Sequence, residues 1–162
     1  MEISAMTDDH YADVARIYLE GIATGQATFQ TEAYSWVDWD KGHLQHSRMI
    51  AVDNGAIAGW AALSPVSGRC VYAGVAEVGI YIGQDHRGKG IGDLLLKGLI
   101  KSSEANEIWT LQAGIFPENT ASIRLHEKNG FRIVGRREKI GKMNDTWRDT
   151  VLMERRSNTV GI

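Results

Sequence analysis

The chain has 162 residues, enough for one domain with a sizeable buried core, and its formal net charge is −2. Acidic and basic residues are interspersed without a Lys- or Arg-rich run, which argues against a nucleic-acid partner. With one cysteine, no apolar stretch long enough to cross a membrane and no leader-like start, we expect a cytoplasmic protein without disulfides, membrane contact or bound metal.

The first third of the chain predicts two helices joined by a polar loop. Apolar residues recur at helical spacing over residues 8–21, behind a capping Thr7. Ser35, with an acid three residues later, marks the start of a second helix that runs to about residue 47. Residues 24–30 form the loop between them.

The middle of the chain predicts a hairpin, then a strand, a glycine-rich loop and a helix. The strands of the hairpin cover residues 49–52 and 56–63, and an Asn-Gly turn joins them. A third strand is expected over residues 75–83, and the helix after the glycine-rich loop ends near residue 106.

The last third predicts a strand, a helix and a closing antiparallel pair. The strand covers residues 108–115, and the helix covers 119–129, where a glycine stops it. The closing pair consists of residues 131–139 and 147–154, followed by a short flexible tail from about residue 156. The pattern indicates one compact α/β unit with mixed strands.

The glycine-rich loop predicts an anion site. Gly88, Gly90 and Gly92 remove side chains where a helix begins and leave backbone N–H groups free to point at phosphate. Arg87 and Lys89 add positive charge beside those amides, which suits a pyrophosphate.

Two common phosphate loops fit this stretch poorly. The nucleotide-triphosphatase loop requires Ser or Thr at the position of Gly90, to hold magnesium. The dinucleotide fingerprint requires a different glycine spacing and a place near the start of a βαβ unit. ATP and nicotinamide enzymes are therefore disfavoured.

The segment Arg-Gly-Lys-Gly-Ile-Gly at 87–92 resembles the R-x-x-G-x-G loop of the GCN5-related N-acetyltransferase (GNAT) superfamily. Residues 119–122 and 125–131 resemble that superfamily's second signature, and the likeness covers residues 3–154. It implies one acetyl-CoA-dependent N-acetyltransferase domain over residues 1–162. The implied fold is α/β (α+β): a central, mixed, mostly antiparallel twisted sheet, flanked by about four helices and splayed at its central strands.

A closer resemblance is to the phosphinothricin and methionine sulfone acetyltransferase branch. The stretches that carry it are residues 27–29, 64–65, 69–72, 76–82, 125–127 and 130–131. It implies acetylation of the α-amino group of phosphinothricin, methionine sulfone, methionine sulfoximine or a similar compound. It also implies a homodimer.

The superfamily resemblance places the cofactor along the central strand, the glycine-rich loop and the fourth helix. The strand pairs with the pantetheine amides as a further strand would, the loop holds the pyrophosphate, and Asn119 contacts the pantetheine arm. The implied cofactor residues are Ile80, Tyr81, Ile82, Arg87, Gly88, Lys89, Gly90, Ile91, Gly92, Asp93, Asn119 and Ser122.

Two residues are catalytic candidates. Glu77 lies in an otherwise apolar strand and is predicted to take the proton that an ammonium must lose before it attacks a thioester. A Glu on the solvent face of a half-buried strand is the structural alternative. His126 replaces the Tyr that protonates the departing thiolate in many members, so it is predicted to donate or relay a proton, although a helix His is often structural.

The acceptor pocket is predicted around Phe29 and the segment Arg69, Cys70, Val71 and Tyr72. Phe29, Trp60 and Tyr72 would form its apolar walls, and Arg69 would pair with a substrate carboxylate. Two other functions remain open from the sequence: acetylation of a protein or peptide, and noncatalytic sensing of acyl-CoA.

Overall fold

The structure is a computed structural model that describes residues 1–162. Seven strands form one open sheet in the order β1-β2-β3-β4-β5-β7-β6, in which only β4 and β5 are parallel neighbours. The strands are β1 (Glu2–Ala5), β2 (Met49–Asp53), β3 (Ala56–Pro65), β4 (Val75–Ile82), β5 (Thr110–Ile115), β6 (Arg132–Met143) and β7 (Thr146–Arg156). Four α-helices flank the sheet: α1 (Tyr11–Ala23), α2 (Trp36–Gly42), α3 (Ile91–Ala105) and α4 (Thr120–Lys128). The predicted fold class is confirmed.

Each face of the sheet buries its own apolar cluster. Alternate residues of β4 point to opposite faces, so Ala76 packs with the α3 side whereas Tyr81 packs with the α1 side. The α3 side includes Leu95, Leu96 and Leu99, which are spaced to share one helix face. The α1 side is rich in aromatic rings, and the functional cavities described below open on both sides of β4.

Several predicted boundaries change in the structure. The second helix is capped as expected, with Ser35 Oγ accepting from the backbone N–H of Asp38 at 3.2 Å, but it ends at Gly42 rather than near residue 47. The closing hairpin is longer than predicted because register shifts let the strands continue to a turn at residues 144–145, both of which have positive φ. The edge strand β1, which pairs with β2, is too short to give a sequence pattern.

The end of the chain is held by hydrogen bonds. The guanidinium of Arg156 donates to the carbonyls of Ser157 and Val160 at 2.8 and 2.9 Å. The hydroxyl of Thr159 donates to Glu104 at 2.8 Å. These contacts lie in the segment that the sequence analysis expected to be a flexible tail, and its flexibility remains a prediction.

Candidate active site

The sheet opens at its centre. Strands β4 and β5 pair in parallel only from Val75–Thr110 to Glu77–Gln112. Beyond that point β4 continues along β3 to Ile82, and β5 continues along β7 to Ile115. Backbone groups on the facing edges therefore lack strand partners, and we call this opening the fork.

A cavity of about 520 Å³ lies between the fork and the start of α3, and we call it the cofactor cavity. The glycine-rich loop forms one wall, where Gly88 and Gly90 have φ of 76° and 81°, a left-handed conformation that favours glycine. No side chain caps the start of α3 at Gly90, and an added Cβ at Gly88 or Gly90 would meet no atom within 4 Å. The free N–H groups and the open space fit a phosphate-containing ligand.

Most of the predicted cofactor residues line this cavity. They are Ile80, Tyr81, Ile82, Arg87, Gly88, Gly90, Ile91, Gly92, Asp93, Asn119 and Ser122. Lys89 lies outside the lining, with its ammonium 3.9 Å from a carboxylate oxygen of Asp53. The cofactor roles of these residues remain predictions.

The side chain of Asp93 has a structural task that the sequence analysis did not anticipate. Its carboxylate accepts hydrogen bonds from Lys97 at 2.6 Å and from Asn129 at 3.0 Å, and Lys128 lies 3.3 Å away. The Lys97 hydrogen bond, followed by those of Asn129 and Lys128, lowers the pKa of Asp93 to about 2. The carboxylate thus joins α3 to the end of α4, which leaves the backbone as the part of Asp93 suited to an anion.

Asn119 caps α4 and also holds a loop. Its Oδ1 accepts from the N–H of Ser122 at 3.2 Å, and its Nδ2 donates to the carbonyl of Gln26 at 3.2 Å. The side-chain amide therefore has partners within the chain at both ends while it lines the cofactor cavity.

A smaller cavity of about 90 Å³ fills the fork itself and is lined by His126. The His126 side chain is 2% exposed, and its Nδ1 lies 2.7 Å from the carbonyl oxygen of Ser122. Burial lowers the pKa of His126, so the ring is neutral near pH 7. Because a carbonyl only accepts, we assign the proton to Nδ1, which makes Nε2 a proton acceptor without a partner in the chain. Donation to a thiolate would require a proton on Nε2, and both the donor role and the relay role of His126 remain predictions.

A third cavity, of about 350 Å³, lies on the α1 side of the sheet, and we call it the acceptor chamber. Glu77 lines it from β4, half-buried, with Oε1 accepting from Nε2 of Gln112 at 3.2 Å. Tyr81 lies farther along β4 on the same face of the sheet as Glu77. It lines the acceptor chamber, the cofactor cavity and the small cavity in the fork. Six aromatic side chains line the acceptor chamber: Tyr11, Tyr18, Tyr34, Trp39, Trp60 and Tyr81.

Of the predicted acceptor residues, the structure brings Trp60 into this chamber but not Phe29 or the segment 69–72. Arg69 lies 5.8 Å over the ring of Tyr72 in an exposed segment that includes Cys70 and Val71 and lines none of the three cavities. Phe29 packs edge-on against Phe116 at 4.8 Å, with its ring filling the space above a glycine of β6. Their roles toward an acceptor remain predictions.

Sequence reasoning missed two side chains that organise the site. Gln112 bonds the predicted catalytic carboxylate, and Arg148 of β7 holds the loop after α1. Arg148 donates to the carbonyl of Gly25 and to the side chain of Gln26, both at 2.6 Å, and its guanidinium stacks 3.7 Å from the centroid of Phe116. No local pattern reveals such contacts, because the partners of Arg148 lie 122 and 123 residues away in the chain.

A splayed central strand, an uncapped helix start and a carboxylate beside the fork together fit a coenzyme A-dependent acyltransferase. The sequence profile of the acetyltransferase (GNAT) family matches residues 9–131. The chain belongs to this family and is an acetyl-CoA-dependent N-acetyltransferase. The resemblance seen in the sequence is thereby confirmed.

Named relatives lie in the expected branch. The chain is 30% identical over 159 residues to an L-methionine sulfoximine/L-methionine sulfone acetyltransferase of Pseudomonas aeruginosa, covering 94% of this chain and 86% of the relative. It is 31% identical over 160 residues to a phosphinothricin N-acetyltransferase of Streptomyces viridochromogenes, covering 96% and 87%. The crystal structure of a phosphinothricin acetyltransferase from Sinorhizobium meliloti in complex with acetyl-CoA superposes with a TM-score of 0.89 and 27% identity, covering 99% and 90%. None of the helices has the length and apolar character to span a membrane.

Proposed function

We propose that this protein acetylates the α-amino group of a small, amino-acid-like acceptor of the phosphinothricin, methionine sulfone or methionine sulfoximine type. The observation that carries the proposal is the meeting of the cofactor cavity and the acceptor chamber at β4, where Glu77 lies beside the fork. The names of the two relatives described above support this acceptor class.

The reaction requires an amine without its ammonium proton. Acetyl-CoA supplies an acetyl group activated as a thioester. The free amine bonds to the carbonyl carbon, the C–S bond breaks, and coenzyme A leaves as a thiol with the second proton that the nitrogen loses. Glu77 accepts the ammonium proton, directly or through one water, in the acceptor chamber. Gln112 holds Oε1 of Glu77, which leaves Oε2 for the proton.

The fork provides the other requirements of acyl transfer. Backbone N–H groups of β4 beyond Glu77 that lack a strand partner are available to the pantetheine amides and to the oxygen of the reacting carbonyl. The start of α3 binds the pyrophosphate through the free N–H groups of the glycine-rich loop.

We also propose a homodimer, which the resemblance to the phosphinothricin and methionine sulfone acetyltransferase branch implies. Exposed apolar side chains at Ile133, Ile140 and Trp147 of the β6–β7 hairpin support a surface that a second copy would cover. Light scattering on the purified protein tests this, and a monomer at micromolar concentration would contradict it.

The decisive experiment is thiol release from acetyl-CoA, measured with the three compounds, other amino acids and a peptide panel. We expect turnover of at least one of the three and a loss of about 10²- to 10⁴-fold in kcat/KM for Glu77→Gln, the usual contribution of a general base. Glu138→Gln, on the exposed strand β6, is the matched control. Turnover of peptides alone would favour a protein acetyltransferase, and acetyl-CoA binding without any turnover would favour a sensor.

A further inference from the structure

The acceptor chamber contains acidic side chains but no Lys or Arg. Asp38 and Glu77 line it together with neutral Thr28, Gln30 and Ser64. A ligand that enters the chamber therefore meets two carboxylates and no fixed positive charge.

The basic side chains near the chamber contact other groups of the protein or lie outside the lining. Arg48 donates to Asp40 and to the carbonyl of Leu44, both at 2.6 Å, and lies outside the lining. Burial lowers the pKa of His43, so this ring is neutral near pH 7, and its Nδ1 lies 2.7 Å from the carbonyl oxygen of Trp39. Arg69 lies outside the lining as well.

The chamber walls suit a neutral or cationic group. Aromatic faces carry partial negative charge and attract cations, and their area also suits methylene and methyl groups. Burial raises the pKa of Tyr18 and of Tyr81, so both phenols stay protonated and serve as neutral O–H donors. Such donors match the oxygens of a sulfone or a sulfoximine without requiring an anion.

Asp38 is placed to act on a ligand side chain at the mouth of the chamber. It lies in the first turn of α2, where its N–H donates to Ser35, and its side chain is exposed. Asp38 and Tyr11 line the chamber together, and burial, followed by the neighbouring Tyr18 and Asp38 side chains, raises the pKa of Tyr11. The Tyr11 hydroxyl donates to the carbonyl of Tyr34 and ties this rim together.

We propose that the acceptor chamber selects amino acids with neutral or cationic side chains over anionic ones, and that Asp38 is a determinant of this selectivity. The inference rests on the proposed function and narrows its acceptor class. Methionine sulfone has a neutral side chain, whereas the methylphosphinate of phosphinothricin is an anion of similar length. The protein therefore prefers the sulfone, because the anion has no counter-charge in the chamber.

The test compares kcat/KM for this matched pair and for glutamine against glutamate. In each pair, the wild-type protein is expected to have a kcat/KM about tenfold or more higher for the neutral acceptor. Asp38→Asn is expected to raise kcat/KM for the anionic acceptors by about three- to tenfold, mainly by lowering KM, because the charge it removes is exposed and acts over several ångströms. Potassium chloride at 0.5 M is expected to reduce the ratio of kcat/KM between neutral and anionic acceptors, because salt screens exposed charges. Asp9→Asn, an exposed acid outside the lining, is expected to leave the ratios unchanged.

A second readout separates this inference from the proposed function. Trp39 and Trp60 line the chamber, so quenching of tryptophan fluorescence reports binding without turnover. Tighter binding of methionine sulfone than of phosphinothricin by the wild type, reduced in Asp38→Asn, would support the selectivity even if no amino acid were acetylated. Equal or better use of phosphinothricin, an unchanged ratio in folded Asp38→Asn, or no quenching by either compound would overturn it.

Discussion

The amide nitrogen of Gln112 lies 3.2 Å from Oε1 of Glu77, at the last residue pair that β5 and β4 share before the fork. Strand pairing sets this contact, because Glu77 and Gln112 are aligned in the parallel register. The hydrogen bond holds one carboxylate oxygen of Glu77, which lines the acceptor chamber, and leaves the other oxygen without this partner.

Replacing Gln112 by Leu is expected to lower kcat/KM by about tenfold, since the carboxylate loses its orienting donor within an active site where geometry governs proton transfer. The KM for acetyl-CoA should stay near the wild-type value, because Gln112 does not line the cofactor cavity. Steady-state kinetics across pH 6–9 measure both. A Gln112→Leu protein with unchanged kcat/KM would show that Glu77 needs no such support.

Gly90→Ala is expected to raise the KM for acetyl-CoA. A residue with a Cβ disfavours the positive φ of Gly90, and the strain of about 1–2 kcal/mol is relieved by moving the loop that presents the N–H groups. Gly55→Ala is the matched control: Gly55 has φ 80° and open space around it but lines no part of the cofactor cavity. Both variants should lose similar stability in urea, and an equal rise in KM for both would contradict a specific role of the loop.

The two hydrogen bonds of Asn119 can be separated by substitution. Asn119→Ala removes the helix cap and should destabilise the protein by about 1 kcal/mol. Asn119→Asp keeps an acceptor for the Ser122 N–H but loses the donor to Gln26, so its stability should stay near that of the wild type while its KM for acetyl-CoA rises. Urea unfolding and initial rates measure these effects. Equal destabilisation by the two substitutions would mean that the contact with Gln26, not the cap, supplies the stability.

Acid should destabilise the protein between pH 7 and pH 5. Burial lowers the pKa of His43, His46 and His126 in the folded state. Below about pH 6.5 the unfolded chain therefore binds more protons than the folded chain, and the free energy of unfolding decreases as the pH decreases. His126→Gln should flatten this dependence, measured as urea unfolding free energy at several pH values. Carboxylates with a lowered pKa, such as Asp93, become protonated only at lower pH, so the histidines account for the loss of stability between pH 7 and pH 5. A slope unchanged by His126→Gln would show that this ring titrates normally.

Local patterns predicted much of the fold. The alternation of β4, the helical spacing of α1 and the Asn-Gly turn each depend on residues close in the chain, and the structure confirms these elements. The predicted ends of helices and strands were less accurate where they depend on tertiary packing. The longer β6–β7 hairpin results from bulges that no sequence period marks.

The sequence by itself determined the glycine-rich loop, because a left-handed glycine, a helix start and its free N–H groups are all properties of one short segment. Only the tertiary structure decided how the acceptor chamber is built and which side chains hold Glu77 and the loop after α1. Gln112 reaches Glu77 across 35 residues of chain and Arg148 reaches Gly25 across 123. Such contacts depend on the strand order β4-β5-β7, which side-chain periodicity does not encode.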